Sequence, residues 1–405
     1  MTWDGPYWCQ GALRGPSRNV GAKGMKAEGA EESAKVLSLP NGPSGGFRMM
    51  SLDVLRGFAM FWVVLGNLVL DPDKFVADSR TVRSLATLLG HCDWDGFGAA
   101  DLVFPLFVFI AGMSIPFSIR RLIEHQGLLA AYRRIFRRAI LLYLIGVFYK
   151  GGIAHAWPDV ALVGVLQRIA LCYLIAGLLF CHLRTRGLVA VFVTILVAYW
   201  ALLSFVPAPG VGAPSFAKGA NWANYIDRHY LPGAKAYGDW DPEGLLGTIP
   251  AAATCVLGIL VAGFMSLPLA PKRKVLYLTA GGLAGILLGF LWGLWFPLIK
   301  KIWTSSFVLE SGGFSCLFLA IFYLVVDVWQ LRSWTPLFIW LGKNPLAMYL
   351  SIEIVDFRGL AQRLVGGDVF AVLGSYGNLA VTIVSVASVC LLARFMHRKG
   401  IFLRL

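Results

Sequence analysis

The residues best suited to chemistry lie in one short stretch. Gly90-His91-Cys92-Asp93-Trp94-Asp95-Gly96 is followed closely by Ala100-Asp101-Leu102-Val103-Phe104-Pro105. An imidazole set among carboxylates can accept and return a proton, or carry a group as a nucleophile. A lone loop histidine also suits plain solvation, so the spacing by itself leaves both readings open. Other chemistries find no support. The seven cysteines are scattered, without a CxxC or a Cys/His cluster, so no metal site is expected. No GxSxG or Ser/His/Asp spacing and no phosphate-cradling glycine loop occur.

A second set falls inside an apolar run. Asp53 and Arg56 stand three residues apart, neighbours on a helix. Asn67, eleven residues beyond Arg56, returns to nearly the same face about 16 Å further along the axis. Such a stripe turns towards a bundle interior or a cavity. It fits a structural ion pair with a packing Asn as well as it fits a functional path. A third set, Asp101, Gln167, Arg168, Asp241, Glu243 and Trp303, falls near the ends of apolar runs or between them. Polar and indole groups of this kind bind sugars, and they also brace helix bundles.

The elements that position these residues are membrane helices. Of 405 residues, 58% are apolar and only 14% charged, with a mean hydropathy of +0.69. A soluble surface of this size needs more charge, whereas lipid accepts an apolar exterior. Apolar runs near bilayer length occur at about 52–70, 99–119, 138–154, 159–181, 187–206, 244–266, 275–297, 312–330, 336–356 and 376–394. The expected fold is an all-α, polytopic integral membrane protein of about ten transmembrane helices. Residues 1–47 read as a disordered tail without a signal-peptide core. With ten spans and the N-terminus inside, the inner segments hold roughly twice as many Lys and Arg as the outer ones, which favours cytoplasmic N- and C-termini. The net charge of +14 is then a topology signal, and nucleic acid is not an expected partner. One outer segment, 207–243, is rich in Trp and Tyr, as suits either an interfacial aromatic belt or an ordered loop over a site.

From residue 48 onwards the chain resembles the heparan-alpha-glucosaminide N-acetyltransferase family. The resemblance rests on SLDVLRG (51–57), HCDWDGFGAADLVFPLFVFIAG (91–112), GVLQRIALCY (164–173), NYIDR (224–228) and DPEGLLGTIPA (241–251), with weaker agreement at KIWTSSFVL (301–309) and LGKNP (341–345). It implies a transmembrane acyltransferase domain over 48–405 in a multi-pass protein of the inner (cytoplasmic) membrane, related to bacterial members. It implies an enzyme that moves an acetyl group from cytoplasmic acetyl-CoA, a co-substrate, to a terminal amino sugar on the outer face. His91 and Asn67 match the family's catalytic positions. Arg56, Arg120 and Arg121 become candidates for the CoA phosphates, although cytoplasmic charge bias is the stronger account of any one of them. Asp101, Arg168, Asp241, Glu243 and Trp303 become candidate acceptor contacts. Cys92, Asp93 and Asp95 depart from the family pattern, differences that bear on the acceptor more than on the reaction. The oligomeric state stays open, a homodimer among the alternatives. The competing reading is a transporter or flippase for an amphiphilic or sugar-containing solute, for which broken helices and internal two-fold similarity would be the mark.

Overall fold

A computed structural model describes residues 49–69 and 90–403; the 1–47 tail lies outside them. All the regular secondary structure of the described residues is helical, with no strand among them. The helices are α1 (Met50–Val69), α2 (Val103–Gln126, entered through a 3-10 turn at Ala99–Leu102), α3 (Leu128–Tyr149), α4 (Val165–His182) and α5 (Thr185–Phe205). A short α6 (Trp222–Tyr230) precedes α7 (Thr248–Met265) and α8 (Pro271–Gly293). Then come α9 (Ser305–Phe322, continued as a π-helix to Val328), α10 (Pro336–Lys343), α11 (Pro345–Ile354), α12 (Phe357–Val365), α13 (Asp368–Leu373) and α14 (Gly377–Arg398).

Seven of these helices are long and apolar enough to cross a membrane: α2, α4, α5, α7, α8, α9 and α14. Their outward faces are apolar. Leu276, Leu283, Leu287 and Leu291 of α8, and Val189, Val193 and Val197 of α5, are all exposed. That surface suits hydrocarbon and not water.

Glycines set the closest helix contacts. A Cβ on Gly258 of α7 would lie 2.1 Å from the Phe109 carbonyl oxygen, and one on Gly112 of α2 would lie 1.9 Å from that of Cys255. The pairing runs antiparallel and brings the two backbones together. Gly57 of α1 meets the Phe338 carbonyl in the same way, while Gly342 of α10 abuts Asp53 and Gly57. Small residues at such crossings are how helices pack tightly in lipid.

Three elements differ from the sequence reading. α3 begins at Leu128, ten residues before the expected span. Its arginines conceal an amphipathic face of Ala131, Ile135, Ala139, Leu142 and Gly146, buried at intervals of three and four residues. α9 begins at Ser305 and not near 312. Its early polar residues are absorbed: Ser311 Oγ donates to the Phe307 carbonyl at 2.6 Å, and Ser315 Oγ to that of Ser311 at 2.8 Å. The expected span 336–356 is interrupted at Asn344 (φ −131, ψ 47). Pro345 lacks an N–H and disfavours α geometry in the residue before it. The Asn344 amide bridges the gap, donating to the Ile401 carbonyl at 2.6 Å and accepting from Leu403 N–H at 3.1 Å.

Candidate active site

Loop 90–102 is fixed at several points. Gly96, at φ 125, donates its N–H to the Leu298 carbonyl at 2.9 Å and ties the loop to the α8–α9 connection. Phe97 stacks on Phe314 of α9. Asp101 organises the rest. Its Oδ2 accepts from the backbone N–H of Cys92 (3.1 Å) and of Gly98 (3.0 Å). Its Oδ1 lies 2.7 Å from His91 Nδ1 and 3.1 Å from Lys300 Nζ. Lys300 Nζ is also 3.1 Å from His91 Nδ1, but one ring nitrogen cannot donate to the carboxylate and accept from the ammonium at once. The shorter contact decides. Nδ1–H donates to Asp101, Lys300 donates to Asp101, and Nε2 keeps its lone pair. The Asp101 side chain is 1% exposed and that of His91 61%, so a buried carboxylate holds an accessible imidazole. This is the arrangement in which an orienting acid fixes a base's tautomer.

Two cavities meet at this imidazole. The larger, of ≈ 570 Å³, runs from Gly90, His91, Lys300 and Glu243 between α1, α2, α3, α4 and α11 to Arg56, Ser114 and Arg138. Ser114 is eleven residues beyond Val103 on α2, a reach of about 16 Å. Its middle is apolar, lined by residues such as Val63, Phe107, Leu142 and Ile169. Near its far part, Arg56 bonds Asp53 (3.2 Å) and Ser114 Oγ (3.4 Å), and the Arg138 guanidinium lies 4.5 Å from the Tyr173 ring centre. The smaller cavity, of ≈ 360 Å³, is a polar vestibule bordered by Asp93, Arg168, Tyr237, Glu243, Lys301 and Trp303.

The vestibule is walled by the long α5–α7 segment. Trp240, 3% exposed, stacks on Tyr237 and meets Trp94 edge-on, so the segment is an ordered loop and not a free aromatic belt. Its acids brace it. Asp227 accepts from the N–H groups of Leu245 and Asp241, and Asp241 from those of Ala236 and Glu243. Burial pushes the Asp227 carboxyl up to about 6, against backbone hydrogen bonds and Arg168, which pull it down. Burial and the neighbouring Asp241 push Glu243 up to about 7, outweighing Arg168 and Lys300. Burial and Asp101 also raise the Cys92 thiol, which keeps it protonated and a poor nucleophile.

Comparison with known proteins places this loop. Residues 48–224 match the family described as "Heparan-alpha-glucosaminide N-acetyltransferase, catalytic". By this region the chain is similar to the heparan-alpha-glucosaminide N-acetyltransferase family. The enzyme of that name from Homo sapiens is 27% identical over 88% of this chain and 59% of its own length. The one from Mus musculus is 29% identical over 66% of this chain and 49% of its own. The chain thus spans about half the length of the curated relatives it matches.

The family's matched region holds Arg56, His91, Asp101, Arg120, Arg121 and Arg168; Asp241, Glu243 and Trp303 lie beyond it. The structure brings some expected residues together and separates others. Arg168, Glu243 and Trp303 join His91 at the vestibule. Trp303, fully buried with φ 55, packs edge-on against Phe104, donates Nε1–H to Thr254 at 3.2 Å, and lies beneath the Arg168 guanidinium. Asp101 also lines the vestibule, and it lies beneath His91 with both oxygens engaged, which makes it the partner of the imidazole. Asp241 holds its loop and borders neither cavity. Arg56 borders the large cavity. Arg120 and Arg121 do not; Arg120 instead pairs with Glu124 at 3.0 Å. Asn67 falls within α1, and its side chain lies outside the described residues. Lys300 and Arg138 were not foreseen as site residues, and Tyr237 only as one of the aromatics of the 207–243 segment. Lys300-Lys301 is a pair of adjacent cations just before an apolar run, a signal that could have drawn attention to it.

Proposed function

We propose that the protein is a multi-pass acetyltransferase of the inner (cytoplasmic) membrane, which passes the acetyl group of cytoplasmic acetyl-CoA to the amine of an amino sugar on the far face. The observation that carries this reading is the meeting of a long apolar cavity and a polar vestibule at an imidazole oriented by a buried carboxylate. The long cavity suits the pantetheine arm, with Arg56 and Arg138 offering cations towards the nucleotide end. The vestibule suits a polar acceptor. His91 Nε2 takes the proton from the attacking nitrogen and returns it to the leaving thiolate. Lys300, beside the same junction, supplies positive charge near the developing oxyanion. About ten spans with both termini cytoplasmic give His91 the outer face, and the Lys/Arg bias supports that orientation.

The transporter reading has one observation in its favour, the break at Asn344 beside cavity-lining Pro345, Leu346 and Tyr349. Purified protein incubated with labelled acetyl-CoA and a panel of amino sugars separates the two. Labelled N-acetyl sugar is the expected product. Solute movement in proteoliposomes without any acetylated product would replace the enzyme reading by the transporter one.

A further inference from the structure

Four side chains border both cavities: His91, Phe104, Glu243 and Lys300. Acetylating an amine that arrives as an ammonium requires more proton traffic than one imidazole handles at once. The nitrogen must lose one proton before it has a lone pair and another after attack, while the departing thiolate gains one. His91 can perform the last two steps in succession. The first needs another base on the acceptor's side.

Most nearby carboxylates are committed elsewhere. Both oxygens of Asp101 are occupied, and those of Asp227 and Asp241 accept backbone N–H groups. Asp93 has an 88% exposed side chain and lies 3.4 Å from Lys301. Glu243 caps no backbone amide among the described residues; its carboxyl shares a hydrogen bond with the Asp241 side chain, and its own backbone is fixed on both sides. Its N–H donates to Asp241 at 2.9 Å, and the next carbonyl, that of Gly244, accepts from Arg168 at 3.2 Å. We propose that Glu243 is a second catalytic base, which holds the acceptor's ammonium in the vestibule and takes its first proton. This rests on the acetyltransferase reading above.

The steps balance. The ammonium gives a proton to the Glu243 carboxylate, leaving a neutral amine and a carboxylic acid. The nitrogen lone pair forms a C–N bond to the thioester carbonyl carbon, and the carbonyl pair moves to oxygen. His91 Nε2 takes the second nitrogen proton. The oxygen pair returns, the C–S bond breaks, and the thiolate takes the proton from His91. Glu243 then releases its proton to water on the acceptor side, one per turnover. The groups facing the carboxyl are Asp241 on its own loop, Arg168 on α4, Lys300 and His91 across the junction, and Tyr349 on α11. Their balance with burial leaves it near 7, where it can alternate between its two forms.

The test is the pH profile of kcat/KM for labelled acetyl transfer from acetyl-CoA to glucosamine, for wild type, Glu243→Gln and Glu243→Asp. Wild type should pass through a maximum in the neutral range, because it needs Glu243 ionised and the acceptor still an ammonium. Glu243→Gln should fall roughly 10²-fold or more at neutral pH, with a raised KM, and should lose the maximum, its rate rising with deprotonation of the free amine. Glu243→Asp should keep the maximum at reduced height. Glu243→Gln retaining the wild-type profile, whether at full rate or uniformly scaled down, would overturn the proposal. An inactive wild type would overturn the acetyltransferase reading itself, an outcome visible before any variant is compared.

Discussion

At the scale of single residues, the account turns on Asp101 holding His91 in one tautomer. Asp101→Asn keeps the shape but can present an amide N–H to Nδ1, which then must accept, leaving Nε2 protonated and useless as a base. Transfer to glucosamine should drop by up to about 10⁴-fold with CoA affinity unchanged, measured by turnover and by equilibrium CoA binding. A variant within a few-fold of wild type would remove the dyad from the account. The sequence made His91 legible through three neighbouring carboxylates, without showing which of them pairs with it. Asp93 and Asp95 are adjacent in the chain, yet Asp101, ten residues on, is the partner, because the turn at Gly98 and the 3-10 segment fold its carboxylate back under the ring. Spacing alone does not encode that fold-back. Arg56 was readable from its three-residue offset to Asp53, and the structure adds Ser114 of α2. Arg56→Ala should therefore lower stability by about 1.5–3 kcal/mol, as expected for hydrogen bonds to a charged group. Arg133→Ala, at an exposed position, should stay within about 0.5 kcal/mol. Thermal melts in detergent compare the two directly.

At the scale of elements, tight glycine crossings and the loop after α6 make separate demands. Gly258→Leu would drive a side chain into the α2 backbone and should lower the melting temperature sharply. The strain of overpacking is about 1–3 kcal/mol or more. Gly281→Leu, where a Cβ meets nothing, is the control that should melt like wild type. The loop has a pH signature. Glu243 and Asp227 bind protons more tightly folded than unfolded, with values near 7 and 6 against ordinary values of 4.5 and 3.8. The folded state therefore holds more protons across that window, and stability falls as pH rises from about 4 to about 7 before levelling. Glu243→Gln should flatten the upper part of that fall, read as melting temperature against pH; an unchanged slope would show that its carboxyl is not held in this environment. The long apolar helices were legible because membrane spans need little more than length and hydropathy. The early turns of α3 and α9 were not, since arginines and serines there are reconciled by an amphipathic face and by hydroxyl back-bonding.

At the scale of the whole molecule, the proposed reaction needs a donor side and an acceptor side. If His91 and the C-terminus lie on opposite faces, a cysteine placed at position 91, in a Cys92→Ser background, should react with an impermeant thiol reagent in intact cells. Protection in intact cells with labelling only after lysis would reverse the proposed orientation. The membrane class was legible from composition, and the family resemblance from the loop and the first helix. The convergence of Lys300, Glu243 and Trp303 on His91 was not, because it joins segments some 150 to 210 residues apart through packing alone. The central claim is that His91 performs proton transfer at the junction of two cavities, and its most direct test compares wild type with His91→Ala. Labelled acetyl transfer to an amino sugar is measured at matched CoA occupancy, with melting temperature as the control for folding. The account predicts equal melting, equal CoA binding and a loss of roughly 10²–10⁴-fold in transfer. Wild-type turnover retained by His91→Ala would contradict it.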